Sequence, residues 1–295
     1  MAKRFYVILI VLTCWAAGAD RCILAENIPA GRQETECVFT PQDRAVFDRV
    51  MPVLVQHKWM PGADLMIMAA HQLMGTPYVA GTLEQEPERL TVNLHETDCI
   101  LFVETCLALA RTAKSDTPDF QTFCNNIRNL RYRNGRVDGY TSRIHYTSEW
   151  IRQAEARGWV KEISRDLSGQ NANQRFSFMS THADRYKQLA GNPADIQKIK
   201  EIETELNRHE YYFIPAGSIS AAAPQIHDGD IVGFNTTVAG LDLSHVGMAF
   251  FVNGELHFIH ASMGKGKVIV ESRSMTEYLS DNRSNNGIRI IRPVF

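Results

Sequence analysis

The stretch LSHVGMAFFVNGELHFIHAS, residues 243–262, decides the fold of this chain. Two apolar segments flank Asn253-Gly254, a dipeptide that favours a two-residue turn between antiparallel strands. Counting back from this turn places His245 opposite Ser262, so that His260 is the diagonal neighbour of His245 on the same face of the sheet. The sequence therefore predicts a β-hairpin that brings two histidines together.

The pattern of residue types along the chain changes at about residue 210. Beyond that point, short segments rich in β-branched and aromatic residues alternate with turn signals such as Asp228-Gly229, a pattern that is typical of strands. We expect these segments to form an antiparallel sheet. The predicted strands cover residues 211–214, 231–234, 246–252, 256–260, 267–271 and 288–294.

Helices are predicted before the sheet. Apolar residues recur at helical spacing from residue 41, and Pro52 is expected to kink or end this first helix. A second helix is predicted over residues 63–74 and a third over about residues 97–113. The third is apolar nearly all round and is therefore expected to be buried. Residues 119–206 look helical and polar, so the predicted fold class is α+β.

Cys99 stands near the start of the third predicted helix. A free thiol has a pKa of about 8.5 and is a weak nucleophile at neutral pH. The partial positive charge of a helix N-terminus favours the thiolate, and the unpaired N–H groups there can also hold an oxyanion. A thiol nucleophile needs a base, and the base needs a group that orients it. Cys99, His245 and His260 are therefore candidates for catalysis.

The N-terminus has the features of a secretory signal. Lys3-Arg4 precedes the apolar run of residues 5–12, and small residues at 17–19 supply a cleavage site after residue 19. Because the apolar run is too short to cross a bilayer, no stable membrane insertion is expected. We therefore expect an exported, periplasmic protein, with a lipid anchor at Cys14 as the alternative.

Export changes the interpretation of the cysteines. Removal of the signal leaves five of the six, and an oxidising compartment favours disulfides, so that one thiol is left over. One of the three pairings open to Cys22, Cys37, Cys106 and Cys124 joins Cys106 to Cys124 and Cys22 to Cys37. Cys99 is then the free thiol. The chain has no CxxC motif and no Cys/His cluster at zinc spacing, so no metal site is expected.

Composition limits the class of protein and its partners. The 295 residues carry a formal net charge of −2, with 44% hydrophobic and 22% charged residues, which is ordinary for a globular protein. This composition excludes a disordered or collagenous chain. Because binding to a phosphate backbone needs a basic face, a nucleic-acid partner is not expected.

Four segments carry a resemblance to a known family. DC at 98–99, DGDIV at 228–232, HVGM at 245–248 and FIHAS at 258–262 follow one another in that order. In this the chain resembles the NlpC-type, papain-like cysteine peptidases and amidases of bacterial cell-wall metabolism.

The resemblance is closer to one branch of exported N-acetylmuramoyl-L-alanine amidases, whose members were once classed as proteins of unknown function. Three segments carry it: GTPYVAG at 75–81, DCILFVE at 98–104 and DGYTSRIHY at 138–146. The similarity extends from about residue 60 to the C-terminus. The common NlpC-type pattern has Ser-Gly after the cysteine, whereas Ile100-Leu101 stands here, a departure that fits the amidase branch.

The resemblance implies roles for individual residues. Cys99 is the nucleophile, His245 is the general base and later the acid, and His260 orients His245. Because the spacing from His245 to the third residue is longer than usual, His257 is the alternative orienting residue, although strand alternation puts it on the opposite face. Oxyanion or substrate contacts are implied for Tyr78, Tyr140, Ser142, Arg143, Tyr146 and Asp242.

The function that this implies is hydrolysis of the amide bond between N-acetylmuramic acid and L-alanine in muropeptides, which are fragments of peptidoglycan. The mechanism is a Cys-His-His thiol mechanism that needs no cofactor. Arg143 is suited to hold a stem-peptide carboxylate through two hydrogen bonds. The alternatives are a γ-D-glutamyl-diamino-acid endopeptidase that cuts the stem peptide and a non-catalytic protein that binds peptidoglycan fragments.

The expected domain organisation follows from the same features. A signal peptide covers residues 1–19, an N-terminal extension with one helix covers 20–60, and a papain-like catalytic domain covers 61–295 with a helical insertion over about 115–210. In that domain Cys99 lies at a helix N-terminus that packs on a C-terminal antiparallel sheet or barrel.

Overall fold

The computed structural model describes residues 37–282 and 284–295. The predicted signal peptide, Cys14 and Cys22 therefore lie outside the described residues. In the described ranges, no helix combines the length and the apolar composition needed to cross a membrane. The α-helices are α1 Pro41–Gln56, α2 Gly62–Gln72, α3 Cys99–Lys114, α4 Phe120–Arg131, α5 Thr147–Ala156, α6 Phe178–Thr181, α7 Pro193–Leu206, α8 Ile219–Ala222 and α9 Met275–Asp281.

One antiparallel sheet joins the strands of the described chain. Its order is β2-β3-β8-β4-β5-β6-β7, and β1 also pairs with β8. The last strand of the chain thus lies inside the sheet, between β3 and β4. The strands are β1 Val160–Glu162, β2 Gln170–Asn171, β3 Tyr212–Pro215, β4 Ile231–Thr236, β5 Leu243–Val252, β6 Glu255–Ser262, β7 Lys267–Val270 and β8 Asn285–Pro293.

The α+β class is confirmed, and the six strands predicted after residue 210 correspond to β3 to β8. The region between about 115 and 210 was predicted to be helical. It contains helices but also the strands β1 and β2. These two strands are short and polar, with no apolar alternation to mark them. Their conformation follows from backbone pairing with β8 and β3, which the local sequence does not reveal.

The prediction that Pro52 kinks or ends the first helix is wrong in its second part, because α1 continues through it to Gln56. The helix begins at a capping box in which Thr40 and Asp43 each accept a hydrogen bond from the other's backbone N–H. Leu54, which follows the proline, is completely buried in a core shared with α2 and α3. Burial of this apolar face offsets the cost of about 3 kcal/mol of an internal proline.

The hairpin β5–β6 forms in the predicted register. Val252 pairs with Glu255, and both turn residues, Asn253 and Gly254, have positive φ angles of 52° and 85°. That backbone conformation is the one for which Asn-Gly is favoured.

Helix α3 is the central helix of the main hydrophobic core. It packs against α1, α2 and α4 on one side and against β5 and β6 on the other. Its buried residues point in nearly every direction, as its apolar sequence predicts. This packing brings the start of α3 to the hairpin that carries the two histidines.

Candidate active site

Cys99 is the first residue of α3, and Asp98 caps this helix by accepting a hydrogen bond from the Leu101 N–H at 2.9 Å. The Cys99 sulfur also accepts a hydrogen bond from the backbone N–H of Val246, the residue that follows His245 in β5. The helix start and the histidine strand therefore meet at this sulfur atom.

His245 and His260 are in direct contact. The distance from His245 Nε2 to His260 Nδ1 is 2.6 Å, a hydrogen bond between the two rings. Gly247 makes the close approach possible, because a Cβ at this position would lie 2.9 Å from the Ile259 carbonyl oxygen and 3.2 Å from His260 Cβ. The diagonal placement predicted from the sequence is therefore observed, and it leaves Nδ1 of His245 as the ring nitrogen available to the thiol.

The thiol of Cys99 is neutral at rest. Burial, followed by the negative charge of Asp98, raises the pKa of Cys99 to about 12, although backbone N–H groups oppose this shift. The backbone N–H groups of Cys99 and Ile100 at the helix start do lower this pKa, as predicted, but the loss of hydration outweighs their effect.

The two histidines are neutral as well. Burial, with the neighbouring His260, lowers the pKa of His245 to about 3. Burial lowers the pKa of His260 to about 4, although the Glu271 carboxylate opposes the shift. The rings of Phe234, Phe258 and Tyr278 surround the pair and supply this apolar environment. A neutral imidazole at physiological pH can accept a proton from a thiol.

Tyr78 lies close enough to Cys99 and Asp98 for their charges to act on its hydroxyl. Its backbone pairs with Thr97, just before the helix, and its N–H donates to the Gly266 carbonyl. Burial and the negative charges that Cys99 and Asp98 can carry raise the pKa of Tyr78 to about 12. The phenol therefore stays protonated and is a hydrogen-bond donor near Cys99.

A cavity of about 200 Å³ begins at the start of α3. Asp98 and Ile100, the residues on either side of Cys99, form one end of it. Glu104, which lines it further along, forms a buried ion pair with Arg131 at 2.6 Å and so has a structural role. The full lining is Gly81, Thr82, Leu83, Glu84, Asp98, Ile100, Leu101, Glu104, Arg131, Arg143, Ile144, His145, Tyr146, Thr147 and Trp150.

A family model described as AmiA-like, N-acetylmuramoyl-L-alanine amidase-like, matches residues 68–288. The chain belongs to this AmiA-like family. The match includes Cys99, His245, His260 and every residue that lines the cavity.

Solved structures agree with this assignment. An N-acetylmuramoyl-L-alanine amidase from Bacteroides uniformis ATCC 8492 is 36% identical with a TM-score of 0.76, over 79% of this chain and 99% of that one. A structure from Bacteroides fragilis, provisionally named a xylanase, is 37% identical with a TM-score of 0.73, over 76% and 98% of the two chains.

A more distant structure shares the fold alone. Protein LPG0564 from Legionella pneumophila is 21% identical with a TM-score of 0.65, over 86% of this chain and 96% of that one. No curated protein matches the chain.

The surroundings of Arg143 in the AmiA-like protein do not fit the role suggested by the sequence, which was to hold a substrate carboxylate. Its guanidinium is buried and already bound by two carboxylates of the chain, Glu84 at 2.9 Å and Glu88 at 3.4 Å. It therefore does not offer a free fork to a substrate carboxylate, because separating it from Glu88 would leave that buried carboxylate with only the Tyr132 hydroxyl, among the described residues, as its hydrogen-bond donor, which would be costly. Of the two acids, Glu84 is the more exposed and itself faces the cavity.

The other substrate-contact candidates of the AmiA-like protein divide into two groups. Tyr146 lines the cavity, although its hydroxyl donates to Glu203 at 2.8 Å. Tyr140 does not line it, but its ring lies 4.3 Å, between centroids, from the ring of His145, which does. Ser142 and Asp242 do not line the cavity. Ser142 closes its own turn by donating to Gly139, and Asp242 is buried and accepts from the Ser148 N–H.

His257, the alternative to His260, lies on the other face of the hairpin. Its Nδ1 is 3.0 Å from the backbone carbonyl of Glu271, within hydrogen-bonding distance. In the described part of the AmiA-like protein, no group of three or more His, Cys, Asp or Glu side chains is arranged to hold a metal ion.

Glu271 is a residue of the site that the sequence did not single out. It follows β7 and is buried, with Oε2 3.6 Å from Nε2 of His260. The signal that would have revealed it is the β6–β7 register, which pairs His260 with Ile269 and brings the end of β7 beside the histidine.

Buried histidines are expected to make the AmiA-like protein sensitive to acid. Burial lowers the pKa of His145 to about 3, as it does for His245, and that of His260 to about 4. Their unfolded-state pKa is about 6.5. The unfolded chain therefore binds more protons between about pH 6.5 and 4, and stability falls as pH is lowered through this window. We expect urea unfolding to show a loss of up to about 1.4 kcal/mol per pH unit for each histidine.

The variant His245→Gln supplies the control, since it removes one of these groups and leaves the carboxylates unchanged. Between about pH 6 and 5 its stability should depend less steeply on pH than that of the wild type. Equal slopes in the two proteins would contradict the buried, neutral state of His245.

Proposed function

We propose that this AmiA-like protein hydrolyses the amide bond between the lactyl group of N-acetylmuramic acid and L-alanine in muropeptides. Cys99 is the nucleophile, His245 is the base and His260 orients it. The observation that carries the proposal is the 2.6 Å contact between His245 Nε2 and His260 Nδ1, next to a helix that begins with Cys99. The family and the relatives named N-acetylmuramoyl-L-alanine amidase support the choice of bond.

The first half of the reaction forms a thioester. As the Cys99 sulfur attacks the lactyl carbonyl carbon, its proton passes to Nδ1 of His245. The resting pair is neutral, so the proton moves together with the attack rather than before it. The N–H of Cys99 at the helix start and the Tyr78 hydroxyl are the donors proposed for the developing oxyanion. Collapse of this intermediate breaks the C–N bond, and the imidazolium gives its proton to the departing amine of L-alanine.

The second half releases the sugar. His245, neutral again, takes a proton from a water molecule that attacks the thioester carbonyl. The C–S bond breaks, the imidazolium returns the proton to Cys99, and the muramic acid leaves as a free carboxylic acid. His245 thus takes up one proton and releases it in each half of the reaction.

The proposed fold assignment is the NlpC-type branch of papain-like enzymes. Support comes from the order of the elements, with a cysteine at the start of a buried helix and two histidines on a following hairpin of an antiparallel sheet. Ile100 and Leu101, which replace the usual Ser-Gly, are apolar residues of the cavity lining.

One relative is named a xylanase, which would imply hydrolysis of a glycosidic bond. That reaction uses two carboxyl groups that flank the bond. Three carboxylates line the cavity, and each is engaged within the chain. Glu104 pairs with Arg131, Glu84 pairs with Arg143, and Asp98 caps α3. These contacts support the thiol mechanism over a carboxylate pair.

The test uses the mature protein and a defined disaccharide-tetrapeptide muropeptide, with products identified by mass spectrometry. We expect free disaccharide together with a tetrapeptide that begins with L-alanine. Disaccharide that still carries L-Ala-D-Glu would instead establish the γ-D-glutamyl endopeptidase. A bare stem peptide separates the two further, since it contains no bond for the amidase to cut. Binding of the muropeptide without any product would favour the non-catalytic alternative.

Export into the periplasm is part of the proposal and is supported by the sequence of residues 1–19. Among the cysteines, the thiols of Cys37 and Cys124 are hydrogen-bonded to each other. This contact favours the pairing that joins Cys37 to Cys124 over the one that joins Cys106 to Cys124.

The proposed catalytic domain begins at residue 61. Helix α1 lies before this boundary but packs into the same hydrophobic core, so it belongs to the same folded unit. Phe47, Val50 and Leu54 of α1 lie in the core that α3 occupies. Asp43 also accepts hydrogen bonds from the N–H groups of Leu94 and His95, in the segment that leads to Cys99.

A further inference from the structure

We propose that Glu271 is a positioning residue that fixes which ring nitrogens of His260 and His245 carry their protons. This inference rests on the proposed role of His245 as base. Glu271 acts through His260 and does not touch the reacting atoms. It adds a fourth residue, located just after β7, to the series formed by Cys99, His245 and His260.

The position of Glu271 is fixed by the sheet. Its backbone N–H donates to the Phe258 carbonyl at 2.9 Å, two residues before His260 in β6. The carboxylate is 4% exposed, and Oε2 is 3.6 Å from His260 Nε2. That nitrogen is buried and has no hydrogen-bond partner among the described residues. Glu271 is therefore the polar group that His260 Nε2 faces.

Arg273 holds the carboxylate in its ionised form. Its Nε donates to Glu271 Oε1 at 3.0 Å and its Nη2 to Oε2 at 3.1 Å, and Asp281 binds the outer side of the same guanidinium at 3.0 Å. Although burial raises the pKa of Glu271, these hydrogen bonds and the charge of Arg273 lower it to about 2. An ionised carboxylate accepts hydrogen bonds and donates none.

The proton positions follow from this acceptor. Facing a carboxylate, the neutral ring of His260 is stabilised with its proton on Nε2, which leaves a lone pair on Nδ1. The 2.6 Å contact needs one proton, so His245 supplies it from its own Nε2. Nδ1 of His245 is then unprotonated, as a base for the Cys99 thiol must be. The opposite arrangement would put a proton on Nδ1 of His245 and block this role.

The 3.6 Å separation is longer than a hydrogen bond, so the preference is electrostatic. Three other groups bear on His260: His245 from β5, Arg273 from the segment after β7, and Tyr278 from α9. The cation of Arg273 opposes protonation of the ring as a whole and is neutralised by Glu271. In a buried site, a fixed negative charge next to one nitrogen favours an N–H there over a lone pair.

The experiment measures the tautomers directly. Protein labelled with ¹⁵N-histidine is examined near pH 7 by two-bond ¹H–¹⁵N correlation, with the rings assigned from His245→Gln and His260→Gln. In the wild type we expect both rings to carry the proton on Nε2. In Glu271→Gln the amide N–H can donate to Nε2 of His260, so the Nδ1-protonated form should become the major one. We expect kcat on the muropeptide to fall by about 10²-fold in parallel.

Asp281→Asn is the matched control, because it removes an acidic partner of Arg273 without facing His260. It should keep the wild-type tautomers and a kcat within about 3-fold of wild type. Wild-type rings protonated on Nδ1 would overturn the proposal, even if Glu271→Gln does not fold. Unchanged tautomers in a folded Glu271→Gln would overturn it as well. Because these spectra need no substrate, the failure of the proposed bond cleavage would be seen separately, as missing products.

Discussion

Replacement of Cys99 by alanine is expected to lower kcat on a muropeptide by at least about 10⁴-fold, below detection in a product assay by mass spectrometry. The substitution removes the Cys99 sulfur. In the described part of the chain, this is the only sulfur at a helix start that also lies beside β5, the strand of His245. Without it no thioester forms, and the remaining donors can only polarise the bound amide. Substrate binding should persist, because the cavity lining is unchanged.

Cys106→Ala is the matched control for this prediction. Cys106 lies in the same helix, is completely buried, and has its thiol pKa raised by burial alone. Its replacement should leave kcat within about 3-fold of wild type, with a small loss of stability from the cavity. If Cys99→Ala kept more than about one hundredth of the activity, another nucleophile would have to be sought.

The second large effect is expected for His245→Gln, with a loss in kcat of about 10³-fold near pH 7. Glutamine can retain a hydrogen bond to His260 but cannot take a proton from the thiol. Because burial raises the pKa of Cys99 to about 12, the fraction of thiolate in the variant is very small at neutral pH. That fraction grows tenfold with each pH unit. The residual activity of His245→Gln should therefore rise steeply from about pH 7 to 9, whereas that of the wild type should not.

His257→Gln provides the comparison, since His257 is a buried histidine of the same hairpin that faces away from His245 and bonds a backbone carbonyl. We expect its activity and pH profile to resemble those of the wild type. A residual activity of His245→Gln that does not change with pH would contradict direct proton transfer from Cys99 to His245.

Much of the site could be predicted because its parts are encoded by local rules. Asn253-Gly254 fixes the register of the hairpin, and the register fixes that His260 and not His257 shares a face with His245. Asp98 caps α3 as Asp commonly does at a helix start, and this places Cys99 on the first turn.

The features that were missed depend on parts of the chain that are far apart in the sequence. The thiol pKa follows from burial under β5, which no property of α3 alone reveals. Arg143 is bound by Glu84 and Glu88, which lie more than fifty residues earlier. Pro52 remains helical because of the core that surrounds α1. In each case tertiary packing overrides a local preference that was interpreted correctly.

The place of β8 in the sheet has a consequence for how the protein is made. This strand is the last in the chain, yet β1, β3 and β4 all pair with it. Until residues 285–293 have been synthesised, β4 lacks one neighbour and β1 and β3 lack their link to the rest of the sheet. Since long-range strand pairing forms slowly and domains tend to fold as units, the sheet that carries the histidines can be completed only after β8 is available to pair. His245 and His260, which lie on β5 and β6 of this sheet, would therefore reach their final environment only late in the folding of the chain.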